Sequence, residues 1–309
     1  MKQAYLIMAH TNISQLCRLV SVLDHPNNDI FIHADKKWLS FSEKDIRAIC
    51  KNSDIEFVKR IDVVWGDYSQ IECEMNLFRA AVSKADYKYL HLISGFDFPL
   101  KPIEIINAFF ERHYPAQFVY YDRENDAELA ATRCREYHVL QRYTGKRKNT
   151  SGLIKKIEDL SLGLQRRIGI NRLRNTDIKL LGKGANWVSI TGEFATYLVG
   201  KTKEIEKQFK FTVCCDEVFL HTVLKQSCYV KDLYKSDIKD KNDHLYTNLV
   251  YTDWMRGRPY TFRIDDYDEL IESPYMFARK FDETVDKDIL DKIERYVRKS
   301  SGKMSSEIK

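Results

Sequence analysis

Asp216 and Glu217 are adjacent carboxylates in the stretch Thr-Val-Cys-Cys-Asp-Glu-Val-Phe-Leu-His-Thr-Val-Leu, residues 212–224. Val218, Phe219, Val223 and Leu224 give the residues after the pair an apolar face, so the pair reads as the opening of a helix. Carboxylates in a first helical turn satisfy orphan N–H groups and complement the helix dipole. The competing reading is that one of them points into a cleft and acts as a general base. Other chemistry-bearing residues stand at the ends of apolar runs: His10, then His33 with Asp35, then Asp97 in Ser-Gly-Phe-Asp-Phe-Pro-Leu (94–100). Near the C-terminus, Phe-Ala-Arg-Lys-Phe-Asp (277–282) sets two cations, Arg279 and Lys280, between aromatics. Each has a plainer reading. His33 can be a satisfied histidine at a strand end, Asp97 a loop carboxylate binding backbone N–H groups, and Trp254 a core residue.

The elements that must position these groups can be read from periodicity. Ala4–Ala9 is a continuous apolar run, as in a buried parallel strand. Asn12 or Thr11 then caps a helix marked by Ile13, Leu16, Leu19, Val20 and Leu23. Asp29–His33 is a second strand, so the chain begins β-α-β, and ligands of open α/β sheets bind at the carboxyl ends of strands. Ile55–Val58 and Asp62–Trp65 are short strand candidates. Ser69–Ala81 is an amphipathic helix, Tyr87–Ile93 a strand, Ile103–Phe110 a helix and Gln117–Tyr121 a strand. Asn186–Ile190 is a strand, after which Thr191 caps a helix through Val199. Leu245–Trp254 is strand-like, Asp265–Glu272 and Ile289–Val297 are helices, and Ser300–Lys309 is expected to fray.

Composition narrows the class. A chain of 309 residues with 44% hydrophobic and 31% charged residues is ordinary for a soluble α/β protein. No apolar run is long enough to span a bilayer. Neither GxGxxG nor GxxxxGK[ST] occurs, which argues against dinucleotide enzymes and P-loop NTPases. Seven scattered cysteines without CxxC spacing suggest reduced thiols and a cytoplasmic setting. Between Arg142 and Arg174, ten Lys or Arg face only Glu158 and Asp159, a local charge of +8 in a chain of net +5. Within it Leu153, Ile154, Ile157, Leu160, Leu164, Ile168 and Leu173 recur. A basic amphipathic stretch can dock on an anionic membrane, while the plainer expectation is a core-packing helix with a solvated basic face. A nucleic-acid role would leave the Asp216-Glu217 and Arg279-Lys280 motifs unexplained, so none is expected.

Taken in order, eight motifs resemble glycosyltransferase family 14, the core-2/I-branching β-1,6-N-acetylglucosaminyltransferases and peptide O-xylosyltransferases. They are Ala4–His10, Ile32–Lys37 (Ile-His-Ala-Asp-Lys-Lys), Trp65–Ser69 (Trp-Gly-Asp-Tyr-Ser), Ser94–Leu100, Gly184–Trp187 (Gly-Ala-Asn-Trp), Asp216-Glu217, Tyr251–Trp254 (Tyr-Thr-Asp-Trp) and Phe277–Asp282. They span nearly the whole chain, with 122–179 matching least. The resemblance implies a GT-A-type fold, a mixed, mostly parallel central sheet flanked by helices. It is expected as a single domain over 1–309, with a nucleotide-binding half (1–121), a basic variable insertion (122–180), an acceptor and catalytic half (181–299) and a tail (300–309).

The function implied is inverting transfer of a sugar, N-acetylglucosamine first and xylose as the alternative, from a UDP-sugar to a glycan or lipid-linked glycan acceptor. The setting expected is bacterial surface-polysaccharide synthesis in the cytoplasm, with the basic segment 142–174 bringing the protein to the inner membrane face. A non-catalytic nucleotide- or glycan-binding protein is the alternative of another class. No metal and no cofactor are expected, because no Asp-x-Asp-like triplet follows a strand near residue 100. Cations must then neutralise the departing UDP. By the resemblance Lys280 is the diphosphate lysine, with Arg258 or Arg279 as a second cation. Glu217 is the catalytic base, His33 and Asp35 meet uridine with His10 nearby, Asp97 lies beside the donor sugar, and Trp254 and Asp216 serve the acceptor.

Overall fold

The computed structural model describes residues 1–122, 126–145, 152–235 and 247–307, with side chains to 298. The first half alternates strands and helices: β1 (Gln3–Ala9), α1 (Ile13–Leu23), β2 (Asn28–Ala34), α2 (Glu43–Ile49), β3 (Ile55–Phe57), α3 (Ser69–Lys84), β4 (Tyr89–Ser94), β5 (Phe98–Pro99) and α4 (Ile103–Arg112). Helices α5 (Asp126–Cys134), α6 (Gln141–Thr144) and α7 (Gly152–Arg167) come next. The chain continues with β6 (Val188–Thr191), α8 (Gly192–Gly200), α9 (Thr202–Phe209), α10 (Phe219–Lys225), β7 (Val250–Thr252), α11 (Tyr267–Glu272), β8 (Phe277–Arg279) and α12 (Lys287–Glu307).

Five strands form the main sheet in the order β3-β2-β1-β4-β6. All pairings are parallel except β4 with β6. This is the mixed, mostly parallel, helix-flanked sheet that the resemblance implies. Tyr5, Leu6, Ile30, Phe31 and Leu92 are buried in it. One hydrophobic cluster runs from Ala4 to Val297, so both halves share a core.

A second sheet, β5-β8-β7, closes the structure. Its middle strand comes from the end of the chain and pairs antiparallel with β5, which lies a few residues after β4. The same closure is made by one side chain. Buried Gln15 donates to the carbonyls of Gly95 (3.1 Å) and Phe281 (3.0 Å), and its oxygen accepts from the Glu283 N–H (2.9 Å). Beside it, Arg18 pairs with Glu283, Asp291 and Glu294.

Several local expectations hold and others fail for identifiable reasons. Asn12, at φ 62°, caps α1 by accepting from Gln15 N–H, and Thr191 caps α8. Asp62–Trp65 is not a strand, because side chains take up its N–H groups: Val63 donates to Asp35 and Val64 to Ser69 Oγ. Among the described residues, Gln117–Tyr121 makes isolated bridges to Leu233, Ser189 and Gly184 in place of a strand ladder. The strand expected over 245–254 is confined to Val250–Thr252, with 245–246 outside the described residues. The tail expected to fray from 300 is helical backbone to Glu307. No helix among the described residues is long and apolar enough to cross a membrane.

Candidate active site

The parallel strands β1, β2 and β4 end on one edge, which brings His10, Asp35 and Ser94–Asp97 together. Lys280 joins them from the second sheet. Its Nζ lies 4.3 Å from the Phe96 ring centroid, and the His10 ring lies 5.3 Å from the same ring. The His10 imidazole is held below its ordinary pKa by burial; Asp35 pulls it up, while Lys280 and Lys37 push it down. His10 therefore stands within reach of the charges of Asp35, Lys280 and Lys37.

Other predicted residues on this edge have structural duties. His33 is buried and its Nε2 accepts from Ile61 N–H at 3.0 Å, so it pins the 58–63 strap rather than facing a ligand. Burial lowers its pKa to about 4, which keeps the ring neutral. Asp35 accepts from Lys37 N–H (2.7 Å), Lys37 Nζ (2.8 Å) and Val63 N–H (3.3 Å), fixing the loop that leaves β2. Asp97 does not project from its loop. It is fully buried, accepts from Ser94 N–H and Oγ, and pairs with Arg279 Nε at 3.0 Å. Arg279 is thereby committed: its guanidinium also stacks 4.6 Å over the Trp187 ring. Lys280 is half-buried as Arg279 is, with its Nζ over the Phe96 ring. Arg258 is exposed on the loop that packs against the Lys280 backbone, where Lys280 N–H bonds Tyr260 O and Phe262 N–H bonds Lys280 O. Trp254 is 54% exposed on the same loop, which removes the reading of it as core.

The carboxylate pair sits in a 3-10 turn, Cys215–Glu217, ahead of α10 rather than in its first turn. Cys214 enters that turn in the left-handed region, φ 49°, with its N–H on the carbonyl of Gly66 (2.9 Å). Gln70, from the first turn of α3, takes the Gly66 N–H and donates to Asp216 Oδ2 (2.8 Å). The Trp-Gly-Asp-Tyr-Ser turn and the Asp-Glu turn are thus tied together. Asp216 does not cap a helix, since no side chain caps α10. Its carboxyl is buried, and burial together with the Glu217 charge pushes its pKa to about 7. Beneath it Glu74 of α3 is buried and held well above the usual carboxylate range, first by burial and then by Asp216.

Glu217 points the other way and is 37% exposed. Arg133 Nη2 of α5 approaches its Oε2 at 3.5 Å and Lys183 Nζ at 3.4 Å. Lys183 is held in turn by Asp122 at 2.6 Å. Both cations meet the same oxygen, and no ion pair or hydrogen bond to Oε1 is made among the described residues.

Residues 183–187 bridge the two groups. Lys183 reaches Glu217, Gly184 N–H bonds the Glu217 carbonyl (3.0 Å), Asn186 neighbours Glu74, and Trp187 lies under Arg279. Gly184 is required by close approach: a Cβ there would stand 1.8 Å from Tyr120 O. Sequence reasoning named this motif without a role for it and missed Gln70, Glu74, Arg133 and Lys183. Gln70 and Glu74 lie four apart on one face of α3, and nothing local in the sequence gives that face its partner. A cleft of about 670 Å³ opens beside the Asp67–Ser69 turn, lined by Tyr68, Arg79, Arg142, Tyr143, Lys210 and Phe211; it stops short of Glu217.

A family model described as Core-2/I-Branching enzyme matches residues 3–271. Xylosyltransferase 2 of Homo sapiens is 22% identical over 311 residues, covering 93% of this chain and 33% of its own length. Xylosyltransferase 1 of Homo sapiens is also 22% identical, covering 95% of this chain and 30% of its own. The chain spans about a third of the length of these curated relatives. The apo crystal structure of mouse xyloside xylosyltransferase 1 aligns with 90% of this chain and 97% of that one, at TM-score 0.38 and 9% identity.

Proposed function

The chain belongs to the core-2/I-branching enzyme family, and from that premise we propose that it is an inverting glycosyltransferase acting from a UDP-sugar on a hydroxyl of a glycan. The observation that carries the proposal is Glu217: a half-exposed carboxylate with one oxygen held by Arg133 and Lys183 and the other available. In the proposed step Glu217 takes the proton of the acceptor hydroxyl. The hydroxyl oxygen bonds to the anomeric carbon while the bond to the UDP oxygen breaks on the opposite face. Lys280, with Arg258, neutralises the departing diphosphate, and His10 lines the same edge. Asp97 and Arg279 hold that edge in shape rather than touch the donor. The transfer needs no metal and no cofactor in this reading.

UDP-N-acetylglucosamine is the first donor proposed. UDP-xylose is the second, favoured by the names of the xylosyltransferase relatives. The acceptor is a glycan or lipid-linked glycan of a bacterial surface polysaccharide. Trp254 supplies an exposed ring face for a pyranose, and Asp216 orders the turn that presents Glu217. We place the protein in the cytoplasm, peripheral on the inner membrane face through 142–174. Of that segment, 146–151 lies outside the described residues.

The test is UDP release across a panel of UDP-sugars, with Glu217→Gln as the comparison. The variant is expected to lose roughly 10²- to 10⁴-fold in transfer while still binding UDP. Equal turnover by the two proteins would leave a base other than Glu217. UDP binding without release from any donor would favour a non-catalytic nucleotide- or glycan-binding protein.

A further inference from the structure

Helix α7 is turned opposite to an ordinary surface helix. Leu153, Ile157, Leu160 and Leu164, with Ile168 just beyond the helix, recur at spacings of four, three, four and four, so they form one stripe. The stripe faces solvent: the five are 66%, 47%, 74%, 59% and 62% exposed. The packed side is polar instead. Glu158 is buried, accepts from Leu140 N–H (3.2 Å) and lies 3.6 Å from His138. Gln165 is buried and clasps the Tyr137 backbone through both its N–H (2.8 Å) and its carbonyl (2.9 Å). Arg166 pairs with Glu136 at 3.0 Å. Amphipathic helices of soluble proteins normally bury the apolar stripe. Here hydrogen bonds to 136–140 fix the helix with that stripe outward.

We propose that α7 is an interfacial helix that lays this stripe into the boundary between headgroups and acyl chains of an anionic bilayer. Charge selects this occupant. At about 100° per residue, Lys156 and Arg167 fall on one flank of the stripe, and both are exposed. Glu158 points inward and Asp159 lies off the stripe, so no acid interrupts it. Cations beside an outward Leu and Ile stripe are the pattern of helices that lie on anionic lipid. A second copy of the chain packed face to face would set the same cations against one another. The inference rests on the membrane placement proposed for this segment and not on the transfer chemistry, to which Leu160 and Leu164 contribute nothing.

The whole protein is sedimented with vesicles of phosphatidylcholine alone and of equimolar phosphatidylcholine and phosphatidylglycerol. The wild type is expected to sediment with the anionic vesicles, and L160E/L164E to bind them at least about tenfold more weakly. K156E/R167E is expected to lose the preference for anionic over neutral vesicles. Equal sedimentation of wild type and L160E/L164E, or no sedimentation of the wild type, overturns the proposal. So does a wild-type dimer in light scattering that L160E/L164E dissociates. UDP release measured without vesicles is expected to be unchanged in both variants, so loss of binding is read apart from loss of the enzyme.

Discussion

Asp216 and Glu217 are neighbours in the chain with opposite surroundings, because successive side chains in a 3-10 turn diverge. Glu217 is 37% exposed, whereas Asp216 is enclosed against Gln70 and Glu74. The enclosure has a signed consequence. Unfolded, Asp216 ionises near 3.8; folded, near 7. Between those values the native chain holds a proton that the unfolded chain has lost, so this group lowers stability as pH rises through about 4 to 7 and adds no further loss above. Asp216→Asn keeps an acceptor for Gln70 and carries no charge. Its denaturation midpoint is expected to fall less than the wild type's from pH 4 to 7, and parallel curves would remove Asp216 as the cause. From sequence, the carboxylates were legible as a pair but not in their division of labour. That division depends on Gln70, 146 residues away, which periodicity cannot connect to them.

At the scale of elements, β1, β2 and β4 could be read from sequence because a strand buried on both faces must be apolar throughout. The strap over 58–63 could not, since its N–H groups bind His33, Asp35 and the Ile32 carbonyl in place of a regular ladder. Helix α7 was legible as amphipathic but not in its orientation. Periodicity gives a stripe, and only Glu158 and Gln165 finding partners in 137–140 decides which way it faces. Asp97 and Arg279 looked like ligands because each sits in a charged motif at a strand end. Pairing β5 with β8 makes them partners of each other. The segment 183–187 is the element on which both halves of the site depend. Gly184→Ala would press a methyl group on Tyr120 O and is expected to cost roughly 1–3 kcal/mol, read as a lowered melting temperature. Transfer should fall further than stability does, because Lys183 and Trp187 move with the loop. An unchanged rate in a destabilised protein would separate the loop from the chemistry.

For the whole molecule, the proposed charge balance gives a clean measurement. If Lys280 and Arg258 carry the departing diphosphate, UDP release after exhaustive EDTA treatment is expected to equal that with added Mg²⁺ or Mn²⁺. A rate restored only by the cation would require a metal site instead. The architecture that collects these cations also sets an order in time. Gln15 leaves the ribosome before its partners Phe281 and Glu283, which emerge 266 and 268 residues later. Until they do, its buried position cannot exist, nor can β8 lie against β5. A growing chain can hold strands β1 to β4 and still lack Lys280, which meets His10 across the Phe96 ring. If that edge is the donor site proposed above, the strands that shape it are made well before the cation that would neutralise the diphosphate.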